Sequence, residues 1–372
     1  VGIVTARAGI NMSGGQLLVG TGVTIGVAGI ATFRTGRIDL GDSLFNTSIG
    51  EGAGDAYTTG NRNTSVGKNS LGSDTTGARN VAIGFQALDA NTTGDYNSAV
   101  GSGALQSNTT ASSNTAVGYI ALYTNTTGSG NVAVGDQALE ANTTANYNTA
   151  VGNKALEANT TGGSNVAVGR NALLVATTAD YNTAIGALAL TANTTADDNT
   201  AVGYLALTTN TTGANNTAVG KESLEANTTG AQGVAVGRKA LESNTTGDNN
   251  TAVGHYALGA NTTGGNNIAI GRESLGANTT ASNNTAVGYF ALTTNTTGTG
   301  LAAFGQGALQ ASTGSNNTGL GANALQANTT GEYNTSVGRS ALTANTTADN
   351  NTAVGYLAAT NNTTGTRNTS VG

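Results

Sequence analysis

An apolar residue followed by glycine returns every 17 residues along most of this chain. The pair stands at Ile49-Gly50, Val66-Gly67, Ile83-Gly84 and Val100-Gly101, and keeps that step as far as Phe304-Gly305. One interval of 16 residues leads to Leu320-Gly321, and the step of 17 resumes through Gly338, Gly355 and Gly372. Twenty glycines in one frame make a structural repeat the governing fact of the sequence. The consensus unit reads N-T-A-V-G-x-x-A-L-x-x-N-T-T-G-x-x. Such a unit is too short for a strand–helix–strand crossover. Leucine-rich and helical repeats are longer and carry more apolar positions, and a hairpin array would use Asn-Gly turns, which the sequence lacks. Stacked coils of a parallel β-solenoid fit. The absence of Pro agrees, because a central ladder strand cannot spare its N–H.

Each position of the unit has a physical reading. The Gly that is never replaced needs a special φ or a close backbone approach. The apolar residue before it and the Thr or Val two places earlier have the spacing of a short strand, and this pair is expected to face inward. Ala or Ser follows three residues after the Gly and then Leu, as in Ala87-Leu88, Ala155-Leu156 and Ala257-Leu258; the Leu is expected to fill the coil. Ten residues after the Gly stands Gly or Ala, as at Gly94, Ala111 and Gly128, so this corner demands small size rather than positive φ. Two Asn columns, one through Asn97, Asn114, Asn131 and Asn148 and one through Asn91, Asn108, Asn125 and Asn142, are expected to stack as amide ladders at about 4.7–4.8 Å. The Thr-Thr pair after the second column favours extended backbone and offers hydroxyls to the stack.

Composition narrows the function classes. Charged residues are 9% and aromatic residues 4% of the chain, so a wide globular core is excluded and a thin repeated one favoured. Disorder usually comes with charge or Pro, and this chain has little of either. The net charge of −6 is dispersed, and no basic run is present to neutralise phosphates, so no nucleic-acid partner is expected. No Cys is present, which removes disulfides and thiolate metal sites and suits an extracellular protein. Apolar runs fall far short of the roughly 20 residues that span a bilayer, so no membrane insertion is expected. Residues 1–45, with "GGQLLVGTGVTIGVAGIATFRTGRIDLG", lack the 17-residue frame and read as an irregular β-rich collar; residues 46–372 are the repeat shaft of about 20 coils. The start at Val1 and the stop inside a repeat suggest a segment of a longer protein.

The unit in "NTAVGYLALTTNTTGANNTAVG", Asn199 to Gly220, resembles repeats of phage tail-fibre proteins. Its N-S/T-V/A-A/V-I/V-G core is also similar to the head repeats of trimeric autotransporter adhesins. The resemblance covers about residues 46–372. It implies a left-handed parallel β-roll, three chains to a fibre, and an extracellular place on a virion tail or appendage. The partners implied are two further copies of the chain, other virion tail or fibre proteins and a host cell-surface receptor, a glycan. The function implied is a structural fibre that spaces or presents a receptor-binding tip. The alternative is a bacterial surface adhesin that binds glycan or matrix with the solenoid itself.

Candidate sites are few. His255, the one His, occupies the variable place after Gly254 and reads as a solvated residue; one His builds neither a catalytic triad nor a metal centre. Asp197-Asp198 lies in a variable corner. The Asn-Thr-Thr triplets match the glycosylation sequon, but a ladder already requires Asn and Thr. No catalytic residue, cofactor or metal ligand is expected, and the chain does not read as an enzyme. Tyr119, Tyr204 and Tyr289 share one coil position at intervals of five coils, each before an apolar residue (Ile120, Leu205, Phe290). They are the candidate surface contacts, for a glycan or another fibre component.

Overall fold

The computed structural model describes residues 43–372. The collar expected over residues 1–45 lies almost wholly outside them. Strands of three residues, one per repeat, run from β1 (Thr47–Ile49) and β2 (Thr64–Val66) through β10 (Thr200–Val202), β16 (Ala302–Phe304) and β17 (Thr318–Leu320) to β20 (Thr369–Val371). Each pairs in parallel with the strand of the next repeat, and together they make a single 20-stranded sheet. The register is one repeat: Thr200 lies beside Thr183 and Thr217, and Val202 beside Ile185 and Val219. The fold is the all-β parallel solenoid that the period predicts.

Between strands the backbone turns on positive-φ residues. In the coil that starts at Gly203 these are Gly203 (φ 142°), Leu205 (58°), Leu207 (53°) and Asn215 (60°). Both reasons for an invariant Gly hold at once. Gly203 sits in a conformation that L-residues avoid, and a Cβ there would stand 2.5 Å from the carbonyl oxygen of Gly220 in the next coil. The core Leu is itself left-handed, which costs about 1–2 kcal/mol per residue for a side chain with a Cβ. That cost is met by the packing of the one large apolar group in each coil and by stacking bonds such as Leu207 N–H to Ser223 O, 2.9 Å. The corner Gly ten residues on has no positive φ, and Ala111 and Ala145 occupy the same column buried, as small size alone requires.

The core differs from the expectation in one respect. Leu88, Leu105, Leu207 and their equivalents are fully buried, with the Ala before them. The strand contributes its middle residue, Ala99, Ala116 or Ala201, and the flanking pair lies half-buried or exposed. The predicted inward face of Thr and Val is therefore the outer face. The interior already holds a Leu and the small residue before it in each coil, and the middle strand position takes only a small residue, Ala in most coils and Ser65 or Ser336 in others.

Two columns of buried amides also line the coil interior. Column Asn91, Asn108, Asn125, Asn142 is an amide ladder: each Nδ2 donates to the Oδ1 of the preceding coil, at 2.9 Å from Asn108 to Asn91 and 2.8 Å from Asn142 to Asn125. Column Asn97, Asn114, Asn131 works differently. Asn97 Oδ1 accepts the backbone N–H of Asn114 (3.0 Å), and Asn97 Nδ2 donates to the carbonyl of Ala111 (2.9 Å). This column ties side chain to backbone and is not a ladder between amides. In most coils the first Thr of the pair donates its hydroxyl to the next coil's carbonyl, as Thr92 does to Thr109 O at 3.0 Å. Most buried amides are thereby satisfied in a repeating scheme; Asn159 Oδ1, next to the gap at Ala176, and Asn351 Nδ2 are exceptions.

The short repeat loses its residue at a corner. Asn328 Nδ2 bonds Ser312 Oγ 16 residues back at 3.2 Å, and Thr313 N–H reaches Thr329 O, whereas Leu292 N–H still bonds Ala308 O in the regular frame. The unit has one Thr, Thr313, where its neighbours have two, and β16 and β17 remain paired Ala302 to Thr318 and Phe304 to Leu320. Leu309 is buried, as expected; Leu320 is 47% exposed, because it stands on the outer strand face and not because the register slips. A deletion within the strand would have inverted its facing; one in a corner does not.

Candidate functional surfaces

The structure places Tyr119, Tyr204 and Tyr289 one residue beyond the Gly corner, all exposed, in one column and five coils apart. It does not bring them together. Tyr119 edges a shallow groove of about 340 Å³ shared with Phe85, Tyr123, Ile120 and Glu140, over the gap left by Ser102 and Gly103. Tyr204 carries Lys221 Nζ 5.7 Å from its ring centroid. Tyr289 packs on Phe290 at 4.1 Å between centroids, and the Arg272 guanidinium lies 5.7 Å from the Tyr289 ring and 5.8 Å from that of Phe290. The apolar residue after each Tyr takes positive φ, 46° at Ile120, 58° at Leu205 and 57° at Phe290.

A feature that residue-by-residue reading missed lies between Tyr204 and Tyr289. The four intervening positions of that column are Lys221, Arg238, His255 and Arg272, all exposed. Their spacing of 17 residues was visible in the sequence once the frame was drawn; His255 taken alone hides it. Carboxylates flank the column. Lys221 Nζ lies 3.1 Å from Glu222 Oε1, and Arg272 Nη2 lies 2.8 Å from Glu273 Oε1. Glu222, Glu225 and Glu242 come together with oxygens within 4.8 Å. Lys239 already bridges two of them, 3.6 Å from Glu222 and 2.5 Å from Glu242, which makes the group an ion-pair network. Its effects on protonation follow: the bond from Lys221 lowers the Glu222 pKa, whereas desolvation and then repulsion from Glu222 and Glu242 raise that of Glu225. The Asp197-Asp198 pair is exposed, and Asp197 Oδ1 accepts the Asp180 N–H at 2.8 Å, a link between coils.

Asp74 is the one acidic member of the second amide column. It is fully buried, accepts from Gly77 N–H (3.0 Å) and Asn91 Nδ2 (3.1 Å), and its pKa is raised to about 6, chiefly by desolvation. The amide of Asn91, donating backwards as Asn108 and Asn125 do, therefore ends on a carboxylate acceptor at Asp74.

A continuous surface feature of the described residues is the outer strand face. Ile83, Val100, Val117, Ile185, Val219, Val236, Ile270, Phe304 and Val354 all stand exposed in a single column, Val219 at 36% and Ile185 at 41%. Strand-initial Thr or Val residues flank them, half-buried. No protein-family model matches the chain, and no curated protein matches it.

Proposed function

We propose that this chain is part of the shaft of an extracellular fibre, without enzymatic activity, that associates through its strand face into a parallel trimer and spaces or presents a receptor-binding tip. The observation that carries the reading is the apolar column, one side chain per coil from Ile49 to Val371, outside a core made of Leu, Ala and Asn. An apolar patch of that extent marks an association surface. Its period of one side chain per coil can be matched along its whole length only by a partner with the same axial repeat, which another copy of the chain supplies. Three-fold packing comes from the resemblance of the N-T-A-V-G unit to tail-fibre and adhesin-head repeats, as does placement on a phage virion.

Sedimentation equilibrium of the purified chain tests it. The expected mass is three times 36.3 kDa. A soluble folded monomer at micromolar concentration rules the fibre reading out, and a dimer rules out the three-fold one.

A further inference from the structure

We propose that the exposed column Lys221–Arg238–His255–Arg272, closed at its ends by Tyr204 and Tyr289, binds a linear acidic polysaccharide laid along the shaft. This goes beyond the fibre reading and does not depend on the number of chains.

The argument begins with the stacking of the coils. Gly203, Gly220, Gly237, Gly254 and Gly271 lie over one another, each close to the carbonyl of the next. The residue after each Gly is therefore held in one file, with Lys221 N 3.1 Å and Arg238 N 3.2 Å from where the Cβ of the preceding coil's Gly would stand. Successive side chains emerge about 4.8 Å apart, and the two tyrosines about 24 Å apart. Elsewhere along this file cations stand alone: Arg170 has Asn153 and Ala187 for neighbours, and Arg339 has Ala322 and Tyr356. Only here do basic residues and the single His follow one another in an acidic chain.

The partners of these side chains show which remain available. Lys221 and Arg272, at the ends, are tied to Glu222 and Glu273 and lean over the Tyr204 and Tyr289 rings. Arg238 and His255, in the middle, form no ion pair among the described residues. A neutral His255 can donate to or accept from a hydroxyl, and the Arg238 fork fits a carboxylate. The exposed faces of Tyr204 and Tyr289 offer apolar area with a polar tip, suited to a sugar ring.

Spacing and flanking charge decide the ligand class. One coil is close to the length of one sugar unit in an extended chain, so a polymer with a single carboxylate on a sugar meets a cation or a hydrogen-bonding imidazole at each step. A denser polyanion gains less from the file, because Lys221 and Arg272 are already tied to Glu222 and Glu273 and only Arg238 and His255 form no ion pair among the described residues. Nucleic acid, with its closely spaced phosphates, is the disfavoured case.

Polygalacturonate is the probe, with neutral dextran and a single-stranded oligothymidylate as comparisons, in calorimetric titrations at low salt. The expected result is saturable binding of polygalacturonate that weakens as salt rises, with no binding of dextran. Arg238→Ser combined with Arg272→Ser should weaken it about tenfold, since each exposed contact contributes a modest share. Arg170→Ser, in the same file but isolated, should change it less than twofold. Equal losses for Arg170→Ser and the double variant would reduce the effect to diffuse charge and overturn the proposal. So would the absence of polygalacturonate binding, or tighter binding of the oligonucleotide. Sedimentation of the same samples reports the oligomer separately, so failure here leaves the fibre reading standing.

Discussion

At the scale of single residues, two positions show how stacking turns local chemistry into a constraint. Gly203→Ala would place a methyl 2.5 Å from the Gly220 oxygen at a φ of 142°. Neither coil can retreat without breaking the next pair of bonds, so a loss of about 2–4 kcal/mol is expected in denaturant unfolding. Gly213→Ala would also press a methyl on the Gly230 backbone oxygen, but it needs no positive φ and Ala111 and Ala145 already sit in the same corner column, so it should cost less than Gly203→Ala. Asp74 adds a pH dependence. Its pKa rises from 3.8 to about 6 in the folded chain, so the fold holds a proton that the unfolded chain gives up. Its contribution is most favourable below pH 3.8 and is lost as pH climbs through 6. Asp89 and Glu225 shift in the same direction, so the difference between the protein and Asp74→Asn isolates the residue. The Asn can donate to the Gly77 carbonyl, as Asn91 does to that of Gly94. Asp74→Asn should raise the thermal midpoint above pH 6, by about 1–2 kcal/mol of stability, and leave it nearly unchanged at pH 4. An equal shift at both pH values would show that burial of the charge is not the cause.

At the scale of the coil, stability depends on columns rather than on strands of three residues. Asn142 accepts from Asn159 at 2.9 Å and donates to Asn125 at 2.8 Å. Asn142→Ala removes one acceptor and one donor at a buried site, and a cost of about 2–4 kcal/mol is expected in urea unfolding. Asn142→Ser should cost less, because Ser312 already fills this column and accepts from Asn328. Isolated gaps are tolerated: Ala176 interrupts this column and Gly233 the other, both buried or in buried surroundings, without loss of register in the flanking strands. The period, the parallel pairing and the Leu interior were all legible in the sequence. Those features follow from spacing, which a repeat states 20 times. Strand facing was not legible. In T-A-V the larger side chains suggest the inside, and only the narrowness of the coil selects the Ala. The left-handed Leu was equally hidden, since propensity argues against it at every occurrence. The cation file was present in the sequence but appears only when residues 17 apart are read as neighbours.

At the scale of the whole molecule, the misread strand face becomes the most consequential surface. Had Val and Thr pointed inward, the solenoid would have been a self-sufficient rod with a polar exterior. With a small residue inward, each coil leaves an apolar side chain on the outer face, and the sheet repeats it from Ile49 to Val371. A single exposed Val needs no explanation, whereas a file of them along one sheet face does. Core and interface should then fail in different ways. Leu207→Asp places a charge in a fully buried position and should prevent folding of the coils around it, with loss of β circular dichroism. Val219→Lys with Val236→Lys changes two half-exposed side chains, which a lone chain can solvate. The double variant should keep its β signal and its unfolding midpoint at low protein concentration, yet sediment as a monomer. The concentration dependence of thermal stability should vanish with it, because association no longer favours the folded state. If the variant sediments like the unmodified chain, the strand face is not where the chains meet. In that case Leu207→Asp, measured beside it, separates a misplaced interface from a fold that never needed partners.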